Sequence, residues 1–108
     1  MPREDNLETI YAYVRSIPPG RVASYGDVGY AVGVTARTVG WAMTVVVDAT
    51  DTPVPWHRVV GSDGYLRIAR RSAEAKNLQQ SLLEAEGIVL KNGNTVPRKY
   101  FLGDDEDQ

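Results

Sequence analysis

Cysteine is absent from this sequence, and histidine occurs once. The first absence removes disulfides, thiolate metal ligands and thiol nucleophiles together, and leaves the compartment undecided on redox grounds. The second leaves only carboxylates to complete a metal shell, so a metal centre is the least expected kind of site. Long apolar runs are also missing. The opening Met-Pro-Arg-Glu-Asp-Asn is polar and charged with no apolar stretch behind it, which argues against a signal peptide, and no segment approaches membrane-spanning length. A cytosolic protein without membrane contact is the default expectation.

What is present is an ordinary globular composition, 43% apolar and 24% charged over 108 residues, enough for one modest core and too short for two. The formal net charge is −2. It hides an asymmetry, because Asp104, Asp105, Glu106 and Asp107 supply four of the fourteen acidic residues and leave residues 1–103 at +2. Residues 1–103 read as one domain and 104–108 as a disordered acidic tail. A charge of that size is too small to hold DNA by phosphate neutralisation alone.

The apolar positions Leu7, Ile10, Tyr11, Val14 and Ile17 fall at helical spacing, with Asp5 or Asn6 as N-cap and Pro18-Pro19-Gly20 as the stop. After an extended link, Ser24-Tyr25-Gly26-Asp27 has the form of a capping box opening a second helix to about Ala31, with Gly33 left-handed behind it. Gly29 inside that helix is locally costly, by about 1 kcal/mol relative to alanine. Thr35 caps a third helix to Val46 whose Val39, Ala42, Met43 and Val46 form the apolar stripe, while Gly40 and Ala42 keep it thin enough for close approach to another surface. Two short helices across a tight turn read as a helix-turn-helix.

Asp48–Thr52 is a polar loop. Pro53-Val54-Pro55 then requires an extended entry to Trp56-His57-Arg58, displayed on a stiff non-helical bend. Val59-Val60 and Tyr65-Leu66 flank Gly61-Ser62-Asp63-Gly64 as a hairpin, a small β wing. Arg67, Arg70 and Arg71 make a basic segment. Ser72 caps a fourth helix reaching Glu86, with Ala75, Leu78, Leu82 and Ala85 inward, Leu83 at its edge and Gly87 as stop. Ile88-Val89-Leu90, the Asn92-Gly93 turn and Val96 suggest a last short hairpin or an edge strand, and order is expected to fade after Leu102.

On residue chemistry alone, Trp56-His57-Arg58 supports three readings: His57 as general base, as a hydrogen-bonded core residue, or as a metal ligand. A base needs an orienting carboxylate, for which Glu86 is the candidate, and a nucleophile. Ser62 is the only hydroxyl close by in sequence, and no nucleophile signature surrounds it. Tyr25 and Arg37 would stand at the starts of the two helices of the helix-turn-helix, near a DNA backbone.

Taken together, Ser24-Tyr25-Gly26-Asp27, Ala36-Arg37-Thr38-Val39-Gly40-Trp41-Ala42-Met43, Pro55-Trp56-His57-Arg58-Val59-Val60 and Leu82-Leu83-Glu84-Ala85-Glu86-Gly87 resemble the DNA-binding domain of O6-alkylguanine-DNA alkyltransferases. The match runs from about Leu7 to Val89 in the family's order. It is closest to the alkyltransferase-like proteins, in which tryptophan replaces the alkyl-accepting cysteine. The resemblance implies a mostly α winged helix-turn-helix that enters the minor groove and flips O6-alkylguanine into a pocket. It implies that Tyr25 rotates the 3′ phosphate, that Arg37 fills the vacated stack, and that Thr38, Gly40 and Trp41 lie against DNA. It further implies that Tyr25, Pro55, Trp56, His57, Arg58 and Arg67 or Arg70 line the lesion pocket, with Glu86 orienting His57 from behind.

Without a thiol the family's transfer to sulfur is expected to be absent, leaving a monomeric, cofactor-free, non-enzymatic lesion sensor. It would flag sites to nucleotide excision repair proteins, at the nucleoid or in the nucleus according to the host. The competing expectations are a sequence-specific winged-helix transcription regulator and a hydrolase or residual transferase built on His57. Four departures from the family pattern stand out. Ala69 falls where a basic lesion contact is usual, Trp41 replaces a small or polar residue and either stacks against DNA or packs internally, Val45 and Val46 stand near a hinge asparagine, and Gly29 replaces a usual alanine.

Overall fold

The computed structural model describes residues 4–47, 54–70 and 72–103. The expected polar loop at 48–52, Pro53, Arg71 and the acidic tail lie outside the described residues. Helix α1 runs Glu4–Arg15 and buries Ile10, Tyr11 and Val14, with Ile17 just beyond it. The helix already contains Asp5 and Asn6, so neither is its N-cap.

The helix-turn-helix forms as expected. Helix α2 spans Tyr25–Val32, and the Ser24 hydroxyl accepts the Asp27 amide N–H at 2.9 Å. The capping box is half made, because the exposed Asp27 carboxylate makes no return bond among the described residues. Gly33 closes α2 at φ +81°. Helix α3 spans Ala36–Val47, and Thr35 Oγ1 accepts the Thr38 N–H at 3.1 Å. Its stripe of Val39, Ala42, Met43 and Val46 is buried. Ala42 therefore belongs to the core, where its carbonyl accepts the Tyr11 hydroxyl at 3.0 Å, and only Gly40 thins the outer face. Gly29 has a reason to be glycine: a Cβ there would stand 2.6 Å from the Val34 carbonyl oxygen. The helix-propensity cost admits a close helix-to-turn approach.

The β structure differs from the expected hairpin. Strand β1, Ala23–Ser24, pairs in parallel with β2, Val59–Val60, in the register Ala23↔Val59 and Ser24↔Val60. Side chains alternate across a strand, and the pair uses both faces. Ala23 and Val59 face the helical core with Ile10, Val28 and Met43. Val22 and Val60 face a second core with Leu66, Leu83, Ile88, Val96 and Phe101. Burying β2 on both sides outweighs pairing it with its sequence neighbour, since each fully buried valine contributes about 1.5–3 kcal/mol.

The wing survives as a tight turn, closed by Gly61 N–H to Tyr65 O at 3.0 Å, and Tyr65 bridges to Thr95 instead of to β2. The expected last hairpin shrinks to a Lys91↔Thr95 bridge, while Phe101 is buried and bridges Val22, so order reaches the end of the described chain.

Helix α4, Ala73–Ala85, is capped by the Ser72 hydroxyl accepting from Ala75 N–H, with Glu86 after it. Its inward face is rotated from expectation. Ala75, Gln79 and Leu83 are buried, whereas Leu78 is 50% exposed and Ala85 is exposed. The physical reason is Gln79, whose amide serves backbone groups beneath it. No helix among the described residues is long and apolar enough to cross a membrane.

Candidate functional site

Trp56-His57-Arg58 is one turn of 3-10 helix rather than the expected non-helical bend. Pro55 suits the position before it because no N–H is needed there, and its carbonyl accepts the Arg58 N–H at 3.0 Å. The turn projects His57 and Arg58 to one partner, Glu86. His57 Nε2 lies 2.7 Å from Glu86 Oε2, and Arg58 Nη2 donates to the same oxygen at 2.7 Å. The Gly20 N–H donates to Oε1 at 2.8 Å, and Arg58 Nη1 donates to the Ile17 carbonyl at 2.8 Å. One carboxylate thus ties the end of α4 to the segment after α1 and to the turn before β2.

The electrostatics follow from this geometry. Burial opposes the Glu86 charge, but the bonds from Arg58, His57 and Gly20 outweigh it and hold the carboxyl at about 2, against an ordinary 4.5. His57 is pulled below its ordinary value, chiefly by burial, with Arg58 adding to the effect and Glu86 opposing it. A neutral imidazole facing a carboxylate must carry its proton on Nε2. The relay geometry of an acid–base site is therefore present, but Ser62 is exposed and makes no hydrogen bond to His57 among the described residues.

Gln79 is the residue that sequence reasoning missed. It is 1% exposed, and its Nε2 donates to the carbonyls of His57 and Val59 at 3.1 and 3.2 Å. A polar residue four after Ala75 and four before Leu83 was the available signal. Gln79→Leu is expected to lower stability by about 1–3 kcal/mol, because two buried carbonyls lose their donor. Urea unfolding measures the loss.

The expected site residues fall on two openings. The larger is a cleft of about 860 Å³ lined by Tyr25, Arg37, Gly40, Met43, Arg67 and Ile68 among others, and bounded by Gly61 and Ser62 of the wing. The second, about 540 Å³, is lined by Arg15, Val54, Pro55, Trp56, His57, Arg58 and Leu82. The structure brings Tyr25, Arg37, Gly40 and Arg67 together and sets Pro55, Trp56, His57 and Arg58 on the second opening. Trp56 packs against the helical core, with its ring edge-on to His57 at 6.3 Å.

Thr38 and Trp41 do not line the cleft: the Thr38 hydroxyl pairs with Thr35 at 3.0 Å, and Trp41 is half-buried against the core. The Arg70 side chain lies outside the described residues. In the cleft, Tyr25 is half-buried, and burial raises its phenol above the ordinary value although the Arg67 charge opposes this. The phenol is thus a protonated donor at neutral pH. Met43, Thr44 and the wing residues Gly61 and Ser62 join the lining without having been expected there.

Residues 6–88 match the family model described as 6-O-methylguanine DNA methyltransferase, DNA binding domain. The chain is similar to alkyltransferase-like protein 1 of Schizosaccharomyces pombe, 40% identical over 92 residues that cover 82% of each protein. It is also similar to a DNA base-flipping protein of Vibrio parahaemolyticus, 35% identical over 97 residues, 87% of this chain and 92% of the relative. Among solved structures it resembles S. pombe Atl1 in complex with damaged DNA containing O6-carboxymethylguanine. There the TM-score is 0.78 at 31% identity, covering 94% of this chain and 97% of that one.

Proposed function

The chain belongs to the 6-O-methylguanine DNA methyltransferase DNA-binding family, and from that premise we propose that it is a non-enzymatic sensor of O6-alkylguanine in duplex DNA. In this reading it enters the minor groove, turns the altered base into the cleft between α3 and the wing, and holds it there. The carrying observation is that the cleft lined by Tyr25, Arg37 and Arg67 belongs to a chain with no cysteine, whose Pro-Trp-His-Arg run puts an indole at the family's acceptor position. An indole is not a competent nucleophile under neutral conditions, and no thiol substitutes for it.

Each residue then has a role. Arg37, exposed at the start of α3, enters the stack, and an inserted side chain offsets part of the few kcal/mol that unstacking costs. The Tyr25 phenol donates to the phosphate beside the flipped nucleotide, where the α2 N-terminus favours an anion. Gly40 lets the backbone of α3 approach the groove. Arg67 faces the base, while Trp56, His57 and Arg58 stand on the separate second opening, His57 and Arg58 braced by Glu86. The complex marks the lesion for nucleotide excision repair proteins, with the sensor acting as a monomer and without a cofactor.

The test is affinity for matched duplexes with guanine or O6-methylguanine at one position, at about 0.1 M salt because phosphate binding depends on it. Tighter binding of the lesion duplex is expected, and equal binding would defeat the reading. Preference for one sequence in a selection from unmodified random DNA would point to a transcription regulator instead.

A further inference from the structure

Arg67 stands where the wing meets the cleft, and three local features fix its course. A Cβ at position 61 would lie 2.4 Å from Arg67 Nε and 3.1 Å from its Cγ, so the side chain crosses the wing turn only because residue 61 is glycine. The Asp63 carboxylate accepts from Arg67 Nη2 on both oxygens at 3.4 Å. The same Oδ1 accepts the Tyr65 N–H at 3.0 Å, which pins the carboxylate to the turn in an Asx geometry. The guanidinium therefore rests beside an acid that the turn holds in place. It is also a cleft residue, and its charge reaches the Tyr25 phenol that lines the same cleft.

We propose that Asp63 is a positioning residue that sets lesion specificity, holding the Arg67 guanidinium over Gly61 towards the cleft and away from the DNA backbone. A guanidinium offers paired donors to the O6 and N7 edge of guanine, whereas an unrestrained one serves any phosphate. The Arg67 and Asp63 side chains are 38% and 63% exposed, so the pair opens at little cost when a base arrives. Its effect falls on where the cation points, not on the stability of the fold. This inference rests on the proposed reading of the cleft.

Asp63→Asn is the informative variant, because the amide oxygen retains the Tyr65 bond while the charge is lost. It is expected to bind an unmodified duplex about two- to fivefold more tightly and to lower the ratio of O6-methylguanine to guanine affinity by at least about threefold, with its thermal midpoint unchanged. In an Arg67→Ala background the same substitution should leave the ratio unmoved, since Asp63 acts through Arg67. Two results would overturn the inference: an unchanged ratio in Asp63→Asn, an equal gain on both duplexes included, or the same change without Arg67. Absence of lesion preference in the unmodified protein would instead remove the proposed function itself.

Discussion

Glu86→Gln is expected to cost up to about 3 kcal/mol of stability at pH 7, a large share of what a domain of this size possesses. The figure follows from a carboxyl held at about 2 against 4.5, on side chains only 14% exposed for both Glu86 and Arg58. A glutamine keeps the shape but leaves the Arg58 guanidinium without its counter-charge. Glu86→Ala, which leaves His57, Arg58 and the Gly20 N–H all short of an acceptor, is expected to cost about 3–5 kcal/mol. Urea unfolding of the three proteins at pH 7 measures both.

The same cluster fixes the direction of the pH dependence. A carboxyl depressed on folding contributes stability that is complete above 4.5 and is lost as pH falls through 4.5 towards 2. His57, lowered from 6.5 on folding, acts in the same direction. Below 6.5 the unfolded chain takes up the proton first, so acid again favours unfolding. The unmodified protein should therefore lose stability in two overlapping steps from pH 6.5 downwards. Glu86→Gln should lack the lower step, so its stability deficit narrows between pH 5 and pH 3. A deficit constant over that range would mean that the Glu86 contribution is packing and not charge.

The second large effect is expected from Arg37→Ala. If the guanidinium fills the space left by a flipped base, its removal should weaken binding to an O6-methylguanine duplex by about 10- to 100-fold, the equivalent of part of an unstacking energy. An unmodified duplex, in which nothing is vacated, should lose only about two- to threefold for one phosphate contact. Equal losses on the two duplexes would make Arg37 a backbone contact and no finger. Because Arg37 is exposed and outside the core, the thermal midpoint of the variant serves as the control for folding.

The helix-turn-helix was legible because its signals are local. The Ser24 and Thr35 caps, the left-handed Gly33 and the 39, 42, 43, 46 stripe act within a few residues, and each appears in the structure. The pairing of Val59-Val60 was not legible, since a Gly-containing turn argues for its sequence neighbour, while the partner Ala23-Ser24 lies more than thirty residues away. The face of α4 was misread for a related reason. Leucine and alanine at 78, 82 and 85 match a helical stripe as well as 75, 79 and 83 do, and only the carbonyls of His57 and Val59 beneath Gln79 decide between them.

The Glu86–His57 bond was legible through the family resemblance and stands at 2.7 Å. The division of the expected pocket residues between two openings was not. It depends on how α2, α3 and the 3-10 turn at Trp56–Arg58 pack in three dimensions, and sequence spacing does not carry that.

Recognition without transfer is the central claim, and one experiment addresses it directly. The protein is held in excess over an O6-methylguanine duplex until binding is complete; the intact protein mass and the nucleoside composition of the recovered DNA are then measured together. A stable, lesion-selective complex is expected, from which the protein returns at its original mass and the O6-methylguanine returns in full. A protein heavier by one methyl group in place of a hydrogen, or loss of the adduct from the DNA, would contradict it.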